Sequence, residues 1–322
     1  MRRWGGFLVI SGAMVAGMAM PVSATSRRVV VRNGLIAFQR GFDRSPTAQI
    51  WVANPNGTGE RLLLRRSLEG VVAPKWSSDG KRIAFLSDDR PGQLAYVAAA
   101  NGKQQKLFLP SSAQEVHGVA WSPTGKQIAF DATLGSTIGL FTVGINGGKP
   151  KLLVRERANS VILAPAFSPD GRRIAYTSSN FNVYTNMNSY TLWLINPDGS
   201  HRQKLQKLGA TFGVSNEDVF ASAWSPDGTK IAAPTGTTNG TVSGDGAQIA
   251  VMDADGTHLT EITNAPGWNW YPAWSPDGTK IVFSSNRTGQ FQIYLMDADG
   301  SNQTRLTHDS AYETAPNWQP LR

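Results

Sequence analysis

The chain has 322 residues, 40% of them hydrophobic, and a formal net charge of +8. That is enough apolar material for one large domain or two small ones. Cys is absent, which excludes disulfides and thiolate metal sites. Lys and Arg are scattered without a dense run, which argues against a nucleic-acid footprint.

Residues 1–24 read as an export signal. Arg2 and Arg3 make a positive start, Phe7 to Met20 is apolar and small, and Val22–Ala24 ("VSA") offers a cleavage site. The apolar run is short for a membrane anchor, and no Cys follows for lipoprotein processing. We expect cleavage after Ala24, a mature chain starting at Thr25, no stable membrane span thereafter, and a periplasmic or secreted location. The "RR" pair leaves both the general and the twin-arginine export routes open. Loss of Arg2 and Arg3 leaves a mildly basic chain. Residues 25–34 form a short lead.

From Leu35 onward one phrase recurs. "APKWSSDGKRIAF" (Ala73–Phe85), "GVAWSPTGKQIAF" (Gly118–Phe130), "APAFSPDGRRIAY" (Ala164–Tyr176), "ASAWSPDGTKIAA" (Ala221–Ala233) and "YPAWSPDGTKIVF" (Tyr271–Phe283) share it. The aromatic falls at Trp76, Trp121, Phe167, Trp224 and Trp274, and a truncated copy, "APNWQP", adds Trp318. Self-similarity at this period with strand-type content predicts a β-propeller. "AW" ends a strand with a ring able to wedge between sheets. "SPDG" spells a type I turn. "KIVF" restarts a strand, "QIYLMD" (Gln292–Asp297) supplies a third, and "ADGS" (Ala298–Ser301) turns into an outer strand, "QTRLT" (Gln303–Thr307).

Six second strands can be counted from "LIAF" (Leu35–Phe38) to "KIVF", and six aromatic strands from Trp76 to Trp318. The two sets are offset, so the chain ends should share one blade. The predicted fold is all-β: a six-bladed propeller of four-stranded antiparallel blades over residues 35–320, closed by its N- and C-terminal strands. The pattern "WSPDG.KI.F" followed by "D.DGS....LT" resembles the propeller repeat of TolB-like proteins, a WD-repeat-like family, across all six repeats. The resemblance implies the six-bladed fold. TolB-type members are periplasmic and carry an α/β domain before the propeller. With only about ten residues between signal and first strand, that domain is expected to be missing.

Catalytic and metal signatures are poor. The "DADG" turns at Asp253 and Asp297 lack the further oxygens and the terminal Glu of an EF-hand, and Asp-Gly is a good hairpin former. His117, His201, His258 and His308 fall in different blades, so no three-histidine metal cluster of the kind used by some propeller lyases is expected. There is no G-x-S-x-G and no thiol. Hence no cofactor, no metal and no catalytic residue is expected.

The segments leading into the inner strands vary most. They carry Glu115, His117, Glu217, Asp218, Tyr312, Glu313 and the aromatic run "GWNWYP" with Trp268, Asn269, Trp270 and Tyr271. Two long loops, Thr177–Thr191 and Pro234–Ala247, join them on one face. These residues are expected to line a channel mouth that binds a protein or peptide partner in the envelope, without catalysis. A glycan-acting lyase or hydrolase, or a glycan-binding module stacking sugars on Trp268 and Trp270, remains the alternative. The bland alternative is that the rings pack between blades and the acids are solvated.

Overall fold

In the computed structural model the described residues are 1, 32–41, 47–65, 70–87, 94–103, 105–107, 109, 113–156, 160–182, 187–212, 221–236 and 246–321. The expected export signal and its cleavage site lie outside them. Among the described residues no helix is long and apolar enough to cross a membrane.

The described residues from 32 onward are all β. Blade 1 orders β24 (Glu313–Leu321), β1 (Arg32–Arg40), β2 (Gln49–Ala53) and β3 (Arg61–Leu64) from inside out. Blade 2 holds β4 (Val71–Trp76), β5 (Arg82–Ser87), β6 (Leu94–Ala99) and β7 (Lys106–Leu107). Blade 3 holds β8 (Ala113–Trp121), β9 (Gln127–Leu134), β10 (Thr137–Gly144) and β11 (Lys151–Arg155). Blade 4 holds β12 (Ser160–Phe167), β13 (Ile174–Asn182), β14 (Met187–Ile195) and β15 (Gln203–Phe212). Blade 5 holds β16 (Ala223–Trp224), β17 (Lys230–Thr235), β18 (Gln248–Asp253) and β19 (Thr260–Glu261). Blade 6 holds β20 (Asn269–Trp274), β21 (Lys280–Ser285), β22 (Gln292–Asp297) and β23 (Thr304–Arg305).

All pairings are antiparallel, as short hairpin connections require. Each inner strand touches the next in the cycle β24, β4, β8, β12, β16, β20 and back to β24, which closes the ring. The closing blade is the one expected: Ile36 pairs with Trp318 and Ala37 with Asn317. Neither chain end of the propeller leaves an open inner edge.

The repeated residues do the jobs their chemistry suggests. Phe38, Phe85, Phe130, Tyr176 and Phe283 hold equivalent second-strand positions and are fully buried. The rings stack across to the third strand, with centroids 5.7 Å apart for Phe85–Tyr96 and 5.6 Å for Phe130–Phe141. Each turn closes with a Gly amide donating to the Ser carbonyl, as from Gly278 to Ser275 at 2.9 Å. The Asp carboxylate accepts from the Ser hydroxyl, as Asp277 does from Ser275 at 2.6 Å. These bonds hold the turn carboxylates of Asp170 and Asp227 below the usual range.

The hairpins between third and fourth strands explain two histidines. His201 and His258 have φ of 54° and 53°, the left-handed region that a turn requires here and that Asn302 occupies in blade 6. His258 Nδ1 lies 2.7 Å from the Asp253 carboxylate of its own hairpin.

Candidate functional site

The inner strands are irregular at one place. Ala73, Ala164, Tyr271 and Ala315 each stand three residues before their blade's aromatic, and each has a φ between 49° and 54°. A register shift accompanies each, for example between Trp270 and Ala273. These are β-bulges, which bend a strand and re-aim its side chains. They sit beside the axis and separate the incoming part of each inner strand from the part leading into the "SPDG" turn.

On the incoming side, blade 6 and blade 1 build an aromatic cluster. Trp270 is 5% exposed and stacks on Phe291 with centroids 4.8 Å apart. Trp268 lies at 5.0 Å from Trp270, and Tyr271 meets it edge-on at 6.5 Å. Tyr312, leading into β24, meets Phe291 edge-on at 5.3 Å. Trp268, Tyr271 and Tyr312 stay half-buried around this core. Phe291 was not among the residues expected from sequence. It stands just before β22, ahead of an ordinary-looking "QIY", and carries no local signal.

Asn269 anchors the segment instead of lining a surface. It is fully buried; its amide nitrogen donates to the Ala247 carbonyl at 3.0 Å. Its oxygen accepts from Ser285 Oγ and Arg287 Nη2, both at 2.8 Å. Glu313 is also fully buried. Arg40 Nε donates to it at 2.6 Å, and the same guanidinium pairs with Glu60 at 2.5 Å and Asp309 at 2.9 Å. The carboxylates of Glu60, Asp309 and Glu313 converge within 4.8 Å, and Arg40 is the cation they share. Burial pushes the Glu313 carboxyl up to about 7, against the pull of Arg40.

The remaining expected residues lie elsewhere. Glu115 is exposed with φ 48°, and His117 Nδ1 lies 3.1 Å from the buried Asp131 carboxylate. Burial raises the Asp131 carboxyl. Both residues belong to blade 3, which the ring order sets across the axis from blade 6. The structure therefore brings Trp268, Trp270, Tyr271 and Tyr312 together and leaves Glu115 and His117 apart from them. Glu217 and Asp218 fall outside the described residues, as do 183–186 and 237–245 of the two long loops.

On the turn side, the six inner strands enclose an axial cavity of about 370 Å³. Its wall is the ring of Trp76, Trp121, Phe167, Trp224, Trp274 and Trp318 with the turn prolines below. As their sequence suggested, these rings also reach between blades: Trp121 Nε1 donates to the Lys75 carbonyl of blade 2 at 2.9 Å. Trp224 Nε1 donates to Ala166 of blade 4 at 3.2 Å.

The family described as TolB beta propeller domain matches residues 36–183 and again 156–321. The chain belongs to that family. A relative, the Tol-Pal system protein TolB of Anaeromyxobacter sp. (strain K), is 35% identical over 135 residues. That alignment takes in 39% of this chain and 24% of the relative, so the likeness spans about a quarter of the relative's length. The crystal structure of TolB from Acinetobacter baumannii superposes with a TM-score of 0.67 at 19% identity, covering 89% of this chain and 66% of that one. A putative TolB from Agrobacterium tumefaciens gives 0.62 at 19% identity, covering 89% and 99%. At such identity the superpositions speak to the fold.

Proposed function

We propose that this chain is an exported, non-catalytic binding protein of the cell envelope, periplasmic or secreted, that holds a protein or peptide partner at the mouth where blades 6 and 1 meet. The observation that carries this reading is the cluster of Trp268, Trp270, Tyr271, Phe291 and Tyr312. Trp270 and Phe291 hold it rigid, and three half-buried rings present edges at the mouth. Large rings ordered before binding give contact area at small entropic cost, and Trp and Tyr dominate interface energetics. The family supports the same direction, since the relatives it matches are named for the Tol-Pal system. The export signal read in residues 1–24 supports an envelope location; mass spectrometry of the periplasmic or secreted fraction should find Thr25 as the first residue, and an intact Met1 on a cytoplasmic protein would reject it.

The catalytic alternative finds little support, because the four histidines belong to separate blades or hairpins. The sugar-stacking alternative is weakened by the burial of Trp270, which leaves Trp268 as a lone platform. The test is capture of partners from the host envelope, followed by titration of the captured partner against the parent and Trp268→Ala. Loss of an aromatic anchor costs about 2 kcal/mol or more, roughly thirtyfold in affinity. Ser275→Ala, in a turn at the other end of blade 6, should lower stability and leave affinity alone. A folded Trp268→Ala protein with parental affinity would reject this mouth as the site.

A further inference from the structure

The five turns place one polar residue at the start of each following strand: Arg82, Gln127, Arg173, Lys230 and Lys280. What that residue touches differs by blade. Lys230 reaches Asp253 Oδ1 at 3.0 Å and Lys280 reaches Asp297 Oδ1 at 2.7 Å, each within its own blade. Arg82 crosses to blade 3, donating to the Gly125 carbonyl at 2.9 Å with its guanidinium 4.8 Å from the centre of the Trp121 ring.

Arg173 does neither. In blade 4 the position of Asp253 and Asp297 is held by Asn196, whose amide bonds Ser200 and His201. The Arg173 guanidinium makes no hydrogen bond or ion pair with a described residue. Between blades 4 and 5, where a bridging arginine like Arg82 would lie, there is a cavity of about 490 Å³. That volume lies within the usual range for small-molecule sites.

The walls of this cavity sort by chemistry. Arg173 supplies a half-buried cation. Leu194, Leu205 and Trp224 supply an apolar side. Asp170, Asp227 and Asp255 supply carboxylates, with the exposed Arg172 as a second cation near Asp170, and Asp170 and Asp255 bond their own turns through Oδ1 alone. Those turn bonds hold both acids below the usual carboxylate range, so they are ionised at neutral pH. An unpaired guanidinium favours a carboxylate, which it can hold with two parallel bonds. Anionic oxygens lining the same cavity favour an ammonium group, and the apolar wall favours an aliphatic chain.

We propose that the cleft between blades 4 and 5 binds a small zwitterionic peptide-type ligand. Its carboxylate lies on Arg173, its ammonium toward Asp170 and Asp255, and its apolar side chain against Leu194, Leu205 and Trp224. This site is at the turn end of the propeller and does not depend on the partner reading of the opposite mouth.

The probe is the dipeptide Leu-Leu, titrated calorimetrically into the full chain, beside N-acetyl-Leu-Leu and Leu-Leu amide. For a ligand of this size the expected dissociation constant is on the order of 0.1–1 mM. Each cap should weaken binding at least about tenfold, since each removes one charge pairing. Arg173→Gln should do the same, and Gln127 shows that the repeat accepts Gln at this place. Asn196→Asp is the second variant. It restores the own-blade carboxylate of blades 5 and 6, should draw Arg173 out of the cleft, and should weaken Leu-Leu about tenfold with Arg173 still present. The proposal is overturned if Leu-Leu gives no binding at millimolar concentration. It is equally overturned if the capped peptides bind as well as the free one, or if both variants, shown to be folded by their melting temperatures, bind it like the parent.

Discussion

Glu313→Gln should change how stability depends on pH. The carboxyl is fully buried beside Arg40, and burial lifts it from 4.5 to about 7. An unfolded chain releases this proton near its ordinary value. Between there and about 7 the folded chain therefore holds a proton that the unfolded chain has lost. Folding is favoured while that proton is retained, and stability falls as pH rises through the window. The interval from 4.5 to about 7, at about 1.4 kcal/mol per pH unit, corresponds to about 3 kcal/mol in total. Gln is neutral throughout and has the same shape, and Arg40 keeps Glu60 and Asp309 as partners. Urea denaturation followed by Trp fluorescence, run from about pH 5 to about pH 8, measures both proteins. The variant should gain about 2–3 kcal/mol relative to the parent over that range, most of it below pH 7.5. Parallel pH profiles would show that the buried carboxyl is not raised, and a relative loss for the variant at high pH would show that the Arg40 pairing outweighs burial.

Trp270→Ala removes a buried ring stacked on Phe291 and should cost about 3–5 kcal/mol, read as a lower denaturation midpoint; a variant of parental stability would mean that the cluster closes over the gap. Deleting residues 314–322 strips blade 1 of its inner strand and exposes the edge of β1, so the product should aggregate or melt far below the parent. A monomeric truncated protein with the parental melting temperature would reject ring closure by β24.

Much of the fold was legible because the residues that build it are local. "SPDG" encodes its turn within four positions, and the strand after it announces itself by β-branched and aromatic content. Even the closing blade could be read, since the offset between two sets of strands needs only counting. The mouth was legible in part. The run Trp268–Tyr271 and Tyr312 stand out by composition, and the structure gathers them. Sequence did not distinguish their depths. Asn269 reads as a polar surface residue, yet it is fully buried because a bulge turns the strand at Tyr271 and Ser285 and Arg287 arrive from the neighbouring strand and loop. Glu313 reads as a mouth carboxylate, yet its partner Arg40 lies 273 positions away and meets it only because the chain ends share a blade. Phe291 gave no signal, since nothing within its own segment tells which ring it will stack on.

The turn end of the propeller presents the opposite case. Its near-uniform sequence suggests pure scaffold, and at three of the six junctions the side chains support that: Arg82 crosses to blade 3, Gln319 Nε2 donates to the Gly80 carbonyl at 2.8 Å, and Asn33 Nδ2 donates to Asp277 at 2.8 Å. Each of these bonds ties one blade to the next. Blades 4 and 5 are tied instead by Trp224 Nε1 to the Ala166 carbonyl at 3.2 Å and by Gln206 Nε2 to the Gly256 carbonyl at 3.5 Å, and neither bond uses Arg173. Between blades 4 and 5 a single difference, Asn196 where two other blades have Asp, removes the own-blade partner of Arg173 without disturbing the hairpin that Asn196 still caps. The hairpin bond from Asn196 to Ser200 stands at 3.0 Å, so the turn keeps its closure. Its consequence is confined to one guanidinium and the cavity in front of it. Repetition thus separates the two roles: positions common to all blades answer for the fold, and a departure that leaves the local turn intact while unpairing a charge is where a binding function can be added at little cost to stability.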